Sequence, residues 1–242
     1  MKIVAKSDIG KIRKSNQDSY AAGEFPSGVA WAVICDGMGG VNGGNIASSM
    51  AVQIISEEIT SMYDRDLSDV AFKSILESAI KKANEEIYNY SLKKSELTGM
   101  GTTAVVCIVK KDKILIAHVG DSRAYFIENG EVNQITKDHS MVQEMIETGE
   151  ITANEAKTFP GKNIITRAVG VSMSVDIDFS IFNFDDNKIL LLCTDGLSNY
   201  VDISEIKNIT ENNTFYEYAD KLVETANKNG GGDNITVIII AL

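Results

Sequence analysis

Apolar residues fall into two rhythms along this chain. Short stretches near residues 1–7, 19–25 and 29–35 alternate or run unbroken and predict β-strands, the last ending at Asp36. After a glycine-rich stretch from Gly37 to Gly44 the rhythm changes to three and four. Ala47, Met50, Ala51, Ile54, Ile55, Ile59 and Met62 share one face of a predicted helix over 45–62. Phe72, Ile75, Leu76, Ala79, Ile80, Ala83 and Ile87 do the same over 68–90, with Ser68 or Asp66 as its cap. Residues 103–109, 113–119, 122–128 and 131–136 are rich in Val, Ile and Thr and read as one antiparallel meander, with Lys111-Asp112 and Asn129-Gly130 as hairpin turns. Short helices are expected at 141–148 and 152–157, the second carrying a capping box of Thr152 and Glu155. Strands at 175–182 and 188–193, a helix at 215–228 and a closing strand at 234–242 complete an α+β order.

At 242 residues, against roughly 100–200 per domain, a single domain over 1–242 is the better count. The longest apolar runs, 189–193 and 235–242, fall short of a membrane span, and residues 1–10 have no apolar leader core. Cys35, Cys107 and Cys193 are far apart and each sits in an apolar stretch, so buried reduced thiols and a cytoplasmic location are expected. Charge changes the picture more. With 23 Lys+Arg against 34 Asp+Glu the net charge is −11, which argues against a nucleic-acid partner and against an anionic membrane surface. Such a surplus is either solvated or holds cations.

The positions of the acids favour cations for some of them. Asp36, Asp121 and Asp195 each end an apolar strand, and Asp233 opens one. An antiparallel strand that begins with an acid can lie beside strands that end with one, so all four can gather at one end of the sheets. Clustered carboxylates repel unless a cation sits among them, and an all-oxygen set suits magnesium, manganese or calcium. Taken singly, each is an ordinary turn former. Asp18 is a fifth candidate, and nearby Arg13 offers a planar fork of donors suited to phosphate. Metal-bound carboxylates plus one arginine are equipment for phosphate-ester hydrolysis.

Eight motifs then occur in order: Arg13-Lys-Ser-Asn-Gln-Asp18, Asp36-Gly-Met-Gly-Gly40, Gly101-Thr-Thr103, Val119-Gly-Asp-Ser-Arg123, Asp138-His-Ser140, Asn163-Ile-Ile-Thr-Arg-Ala-Val-Gly170, Thr194-Asp-Gly-Leu197 and Gly231-Gly-Asp-Asn-Ile-Thr236. With these the chain resembles the metal-dependent protein phosphatases of the 2C type, in their compact bacterial form. The resemblance implies a four-layer αββα sandwich of two antiparallel sheets flanked by helices, with a flap at about 140–170. It implies a serine/threonine phosphatase using two to three Mn²⁺ or Mg²⁺ ions. Asp36 would bridge two ions, with the Gly37 carbonyl on the first. Asp195 and Asp233 would hold the second, and Asp121 with Asp195 a third. Asp18 would act mainly through bound water, and Arg13 would clamp the substrate phosphate. A metal-bridging hydroxide would attack phosphorus directly. Implied partners are phosphoserine and phosphothreonine proteins and a serine/threonine kinase that makes them; a monomer is the default expectation for a compact single domain.

The chain also departs from that pattern. Met38 and Val41 stand where relatives carry histidines, Asn45 replaces a common Glu, Phe159 precedes Pro160 in place of His, and Lys162 replaces a common Arg. The two histidines that exist, His118 in an apolar strand and His139 beside Asp138, read as hydrogen-bonded structure without metal-ligand spacing to each other. Two rival readings are a phosphatase-like binding module, which loss of a metal aspartate would signal, and a metal-dependent phosphatase of small molecules. All of Asp36, Asp195 and Asp233 are present.

Overall fold

Alternation along the strands builds the core. On the strand Ala30–Met38 (β3), Ala30, Ala32 and Ile34 face one side, while Trp31, Val33 and Cys35 face the other. Both sides are buried, which is why the strongest strands read as continuous apolar runs. The computed structural model describes residues 1–64, 67–156 and 158–242, with backbone only at 41 and 42. Asp66, the alternative cap, and Lys157, the expected end of a helix, lie outside the described residues.

Two antiparallel sheets stack face to face. The first runs in the order β1 (Lys2–Asp8), β11 (Ile235–Ala241), β10 (Lys188–Cys193), β7 (Arg123–Glu128), β8 (Glu131–Gln134). The second runs β2 (Asp18–Glu24), β3, β5 (Ala104–Val109), β6 (Lys113–Val119), β9 (Asp178–Asn183), with β4 (Gly101–Thr102) on the far end of β3. Between them lie Ile34, Val105, Ile114 and Ile116 of one sheet and Phe126, Leu190, Leu192 and Ile238 of the other. Helices α1 (Gly40–Met62) and α2 (Asp69–Ser91) cover the second sheet through Ile55, Leu76 and Ile80. Helices α6 (Ile203–Asn212) and α7 (Tyr218–Lys228) cover the first through Ile206, Leu222 and Val223. This is the αββα sandwich. Each fully buried Ile or Leu contributes about 1.5–3 kcal/mol, so the three apolar layers carry the fold. All three cysteines are buried and free. No helix among the described residues is long and apolar enough to cross a membrane.

Several expectations are corrected. Residues 103–136 are not one meander: β5–β6 and β7–β8 are two hairpins in different sheets, and the chain crosses between sheets at residues 120–122. Helix α1 begins at Gly40 rather than 45, and α6, which the apolar pattern does not announce, opens on a capping box of Asp202 and Glu205. Strand β9 starts at Asp178, because Val175 and Ile177 pack onto the helix-side core instead of pairing. The short helices α3 (Met141–Glu147), capped by Ser140, and α4 (Ala153–Ala156), on the expected box of Thr152 and Glu155, both form, with Thr152 N–H donating to Glu155 Oε2 at 2.7 Å. They belong to an excursion closed at its base, where Met141 N–H donates to the Ile164 carbonyl at 2.9 Å and Thr166 N–H to the His139 carbonyl at 2.8 Å.

Candidate metal centre

The register of β2 against β3 sets Asp18 directly opposite Asp36. The crossing between sheets at residues 120–122 carries Asp121. The first sheet delivers Asp195, first residue of the one-turn helix α5 (Asp195–Ser198), from the end of β10, and Asp233 from just before β11. All five acids gather at one end of the sandwich, and the charges of the other four all act on Asp36.

Close backbone approach makes this possible at two places. A Cβ on Gly37 would stand 2.0 Å from the Gly44 carbonyl oxygen, so only a residue without a side chain lets α1 seat against the strand end beside Asp36. A Cβ on Gly196 would stand 1.9 Å from the Asn234 carbonyl oxygen, and its absence brings Asp195 and Asp233 together.

Neutral hydrogen-bonding groups hold the carboxylates from behind. Asp36 N–H donates to Thr103 Oγ1 at 2.9 Å, and its carbonyl accepts from Thr103 N–H and Thr102 Oγ1, both at 2.8 Å. Thr103 Oγ1 lies 2.7 Å from Ser122 Oγ, tying Asp36 to the residue after Asp121. Asp18 is 8% exposed, and its Oδ2 accepts from Thr194 at 2.8 Å and Thr236 at 2.7 Å. Asn234 accepts from Gln17 N–H at 2.8 Å and donates to the carbonyls of Ile9 and Ser15 at 2.9 and 3.0 Å. It thereby pins the loop that carries Arg13 to the turn that carries Asp233. Arg13 Nη2 donates to Asp233 Oδ2 at 2.7 Å.

The electrostatics favour a cation among the carboxylates. Burial pushes Asp18 up to about 7 against the Thr236 and Thr194 hydroxyls, and Asp195 and Asp233 push it the same way. Burial, then Asp195 and Asp138, raise Asp121 to about 7. Asp36 is held well above the usual carboxylate range by burial and then by Asp18, Asp195, Asp121 and Asp233. Burial and Asp233 raise Asp195. Asp18 Oδ1 and Asp195 Oδ1 are buried without a hydrogen-bond partner. Buried acceptors of this kind normally find donors, so unpartnered carboxylate oxygens in an all-oxygen cluster fit divalent cations.

Every sequence-predicted site residue therefore sits at or beside this cluster. Thr194, Thr236, Asn234, Thr103 and Ser122 were not among them; their signal is a polar residue inside or at the end of an otherwise apolar strand. Removing both hydroxyls on Asp18, as Thr194→Val with Thr236→Val, leaves a buried carboxylate oxygen without donors. The expected cost is about 1–3 kcal/mol, or a drop of about 2–10 °C in the melting temperature of the metal-free protein. Unchanged thermal unfolding would contradict this role.

The histidines need a correction. The sequence holds them apart, but their rings stack with centroids 4.7 Å apart, and one ligand atom each from His118, His139 and Asp178 lie within 4.8 Å of one another. The β6–β9 register pairs His118 with Asp178, and the chain after β8 brings His139 over them. Beside the carboxylate cluster a cavity of about 1010 Å³ opens between the 140–165 excursion and α6, lined by Asp121 and Asp195 of the cluster and by Val142, Ile146, Ile203 and Ile206.

Residues 12–237 match the family profile described as Protein phosphatase 2C. The serine/threonine phosphatase stp of Listeria monocytogenes serotype 4b is 39% identical, over 97% of this chain and 93% of its own. The solved serine/threonine phosphatase of S. agalactiae superposes with a TM-score of 0.92 at 33% identity, covering 100% of this chain and 99% of that one. The catalytic domain of the serine/threonine protein phosphatase PstP, solved in complex with two manganese ions, superposes with a TM-score of 0.85 at 31% identity over 98% and 96% of the two chains.

Proposed function

Since this chain belongs to the protein phosphatase 2C family, we propose that its carboxylate cluster is the metal centre of a serine/threonine phosphatase, with Asp36 and the Gly37 carbonyl, Asp195 and Asp233 holding two Mn²⁺ or Mg²⁺ ions. The observation that carries this reading is the convergence of five aspartates with two buried, unpartnered carboxylate oxygens among them. Asp121 with Asp195 holds a third, weaker ion. Ions bound there supply Lewis acidity toward water and phosphoryl oxygens at neutral pH.

The chain's own residues do the rest. Arg13 stands at the edge of the cluster and feels the charges of Asp233, Asp36 and Asp195. Its planar fork binds the substrate phosphate, and Asp233 orients it meanwhile. Asp18, held at Oδ2 by two threonines, keeps Oδ1 for a water proton. Neither histidine takes the leaving-group proton in this reading: both are buried, and their ring contacts are to Gly120, Lys137 and Asp178. The cavity beside the cluster receives the polypeptide flanking the phosphoresidue, and residues 140–170 act as a flap over it. The substrates are then products of a protein serine/threonine kinase. All proposed ligands come from one chain, as a monomer requires.

The test is hydrolysis of a phosphothreonine peptide and of p-nitrophenyl phosphate, with and without manganese, beside Arg13→Ala. We expect both substrates to be turned over only with metal, and Arg13→Ala to lower kcat/KM by about 10-fold or more, the loss of a charge-assisted phosphate contact. Turnover of the aryl phosphate with none of the peptide would transfer the reading to small-molecule phosphates. Activity after chelation would refute the metal centre.

A further inference from the structure

Gly120 immediately precedes Asp121, and His139 holds its peptide from both sides. Gly120 N–H donates to His139 Nδ1 at 3.0 Å, and His139 N–H donates to the Gly120 carbonyl, also at 3.0 Å. A ring nitrogen that accepts an N–H carries no proton, so the neutral ring carries its proton on Nε2. Asp178 Oδ2 faces that Nε2 at 3.3 Å, a charge contact outside hydrogen-bond geometry, and Asp178 Oδ1 accepts from Arg167 Nη1 at 2.8 Å. The Gly120 N–H on Nδ1 therefore sets the tautomer, and the Asp178 carboxylate faces the protonated nitrogen by charge alone. His118 stacks on the ring from β6 and donates from Nε2 to the Lys137 carbonyl at 2.9 Å. Burial and then His118 keep His139 below the ordinary histidine pKa, with Asp178 opposing them, so the ring stays neutral and able to accept.

These contacts argue against an ion among His118, His139 and Asp178. His139 spends its lone pair on Gly120, His118 keeps only Nδ1, and Arg167 already neutralises Asp178. We infer that His139 is a positioning residue, which aims Asp121 into the carboxylate cluster by clamping the Gly120 peptide. The inference rests on the proposed role of Asp121 as an ion ligand. It also links the excursion to the metal centre, because Arg167 and the Thr166 N–H contact to the His139 carbonyl lie at the excursion's return.

The conservative pair His139→Asn and His139→Gln separates this role from simple packing. Asn places its carbonyl oxygen where Nδ1 stands, whereas Gln carries its acceptor one atom further out. In the full-length metal-free protein, nitrogen NMR of wild type should show His139 protonated on Nε2 alone. Amide exchange at Gly120 should be about tenfold faster in His139→Gln and near wild type in His139→Asn. In manganese titrations followed by EPR, the weakest site should lose about fivefold or more in affinity in His139→Gln and recover in His139→Asn, with Asp121→Asn as the control that removes it. Equal behaviour of the Asn and Gln variants, a proton on Nδ1, or zinc displacing the Nε2 proton would overturn the inference. So would altered Gly120 exchange with manganese binding unaltered in every His139 variant while Asp121→Asn still loses the weak site. If Asp121→Asn itself binds manganese like wild type, the ion-ligand role of Asp121 fails, and Gly120 exchange still decides the clamp.

Discussion

Asp36→Asn is expected to lower turnover of a phosphothreonine peptide by about 10³-fold or more, since metal assistance is worth several kcal/mol and each 1.36 kcal/mol is tenfold. Asp36 lies opposite Asp18 in the sheet register, and its backbone is pinned by Thr102 and Thr103. Asparagine keeps the size of the side chain and these backbone contacts. It removes the one charge on which all four other aspartates converge. The loss should therefore appear in kcat with circular dichroism unchanged. A fall of less than tenfold in the steady-state rate would remove Asp36 from the metal centre.

Without metal, the same variant should be more stable than wild type. A carboxylate whose folded pKa is raised above its unfolded value weakens the fold as pH climbs from the unfolded pKa to the folded one. Asp18 and Asp121 rise from 3.8 to about 7, and Asp36 and Asp195 are raised in the same direction. Metal-free wild type should therefore melt at a higher temperature at pH 5 than at pH 7, and Asp36→Asn should narrow that gap. Manganese should reverse the order. An ion at 100 times its Kd adds about 2.7 kcal/mol, which in a chain of this size is about 5–10 °C. Wild type should gain this shift at pH 7 and Asp36→Asn should lose most of it. Scanning calorimetry with and without manganese at the two pH values reads all four states. Equal manganese shifts in the two proteins would contradict the account.

Much of this was legible in the chain because it is local. Strands buried on both faces show as apolar runs, and Asp36, Asp195 and Asp233 stand out as acids beside glycine at the ends of such runs. The capping box of Thr152 and Glu155 is a four-residue pattern and forms as read. What escaped is non-local. Nothing in residues 113–136 says that the chain changes sheets at Gly120, because either sheet accepts the same alternation. Thr194 and Thr236 look like ordinary strand threonines until they meet at Asp18. His118 and His139 acquire a relation only when β9 brings Asp178 alongside. The early start of α1 runs against the low helix propensity of glycine and depends on the contact between Gly37 and Gly44.

If these aspartates are ligands, the protein loses ions when they are replaced. Counting manganese ions per chain in wild type, Asp36→Asn and Asp233→Asn, by equilibrium dialysis with metal analysis at pH 7, tests it most directly. At least two ions per wild-type chain are expected, with a loss of one or both in each variant. Wild type that retains no manganese, or variants that bind as many ions as wild type, would contradict that expectation.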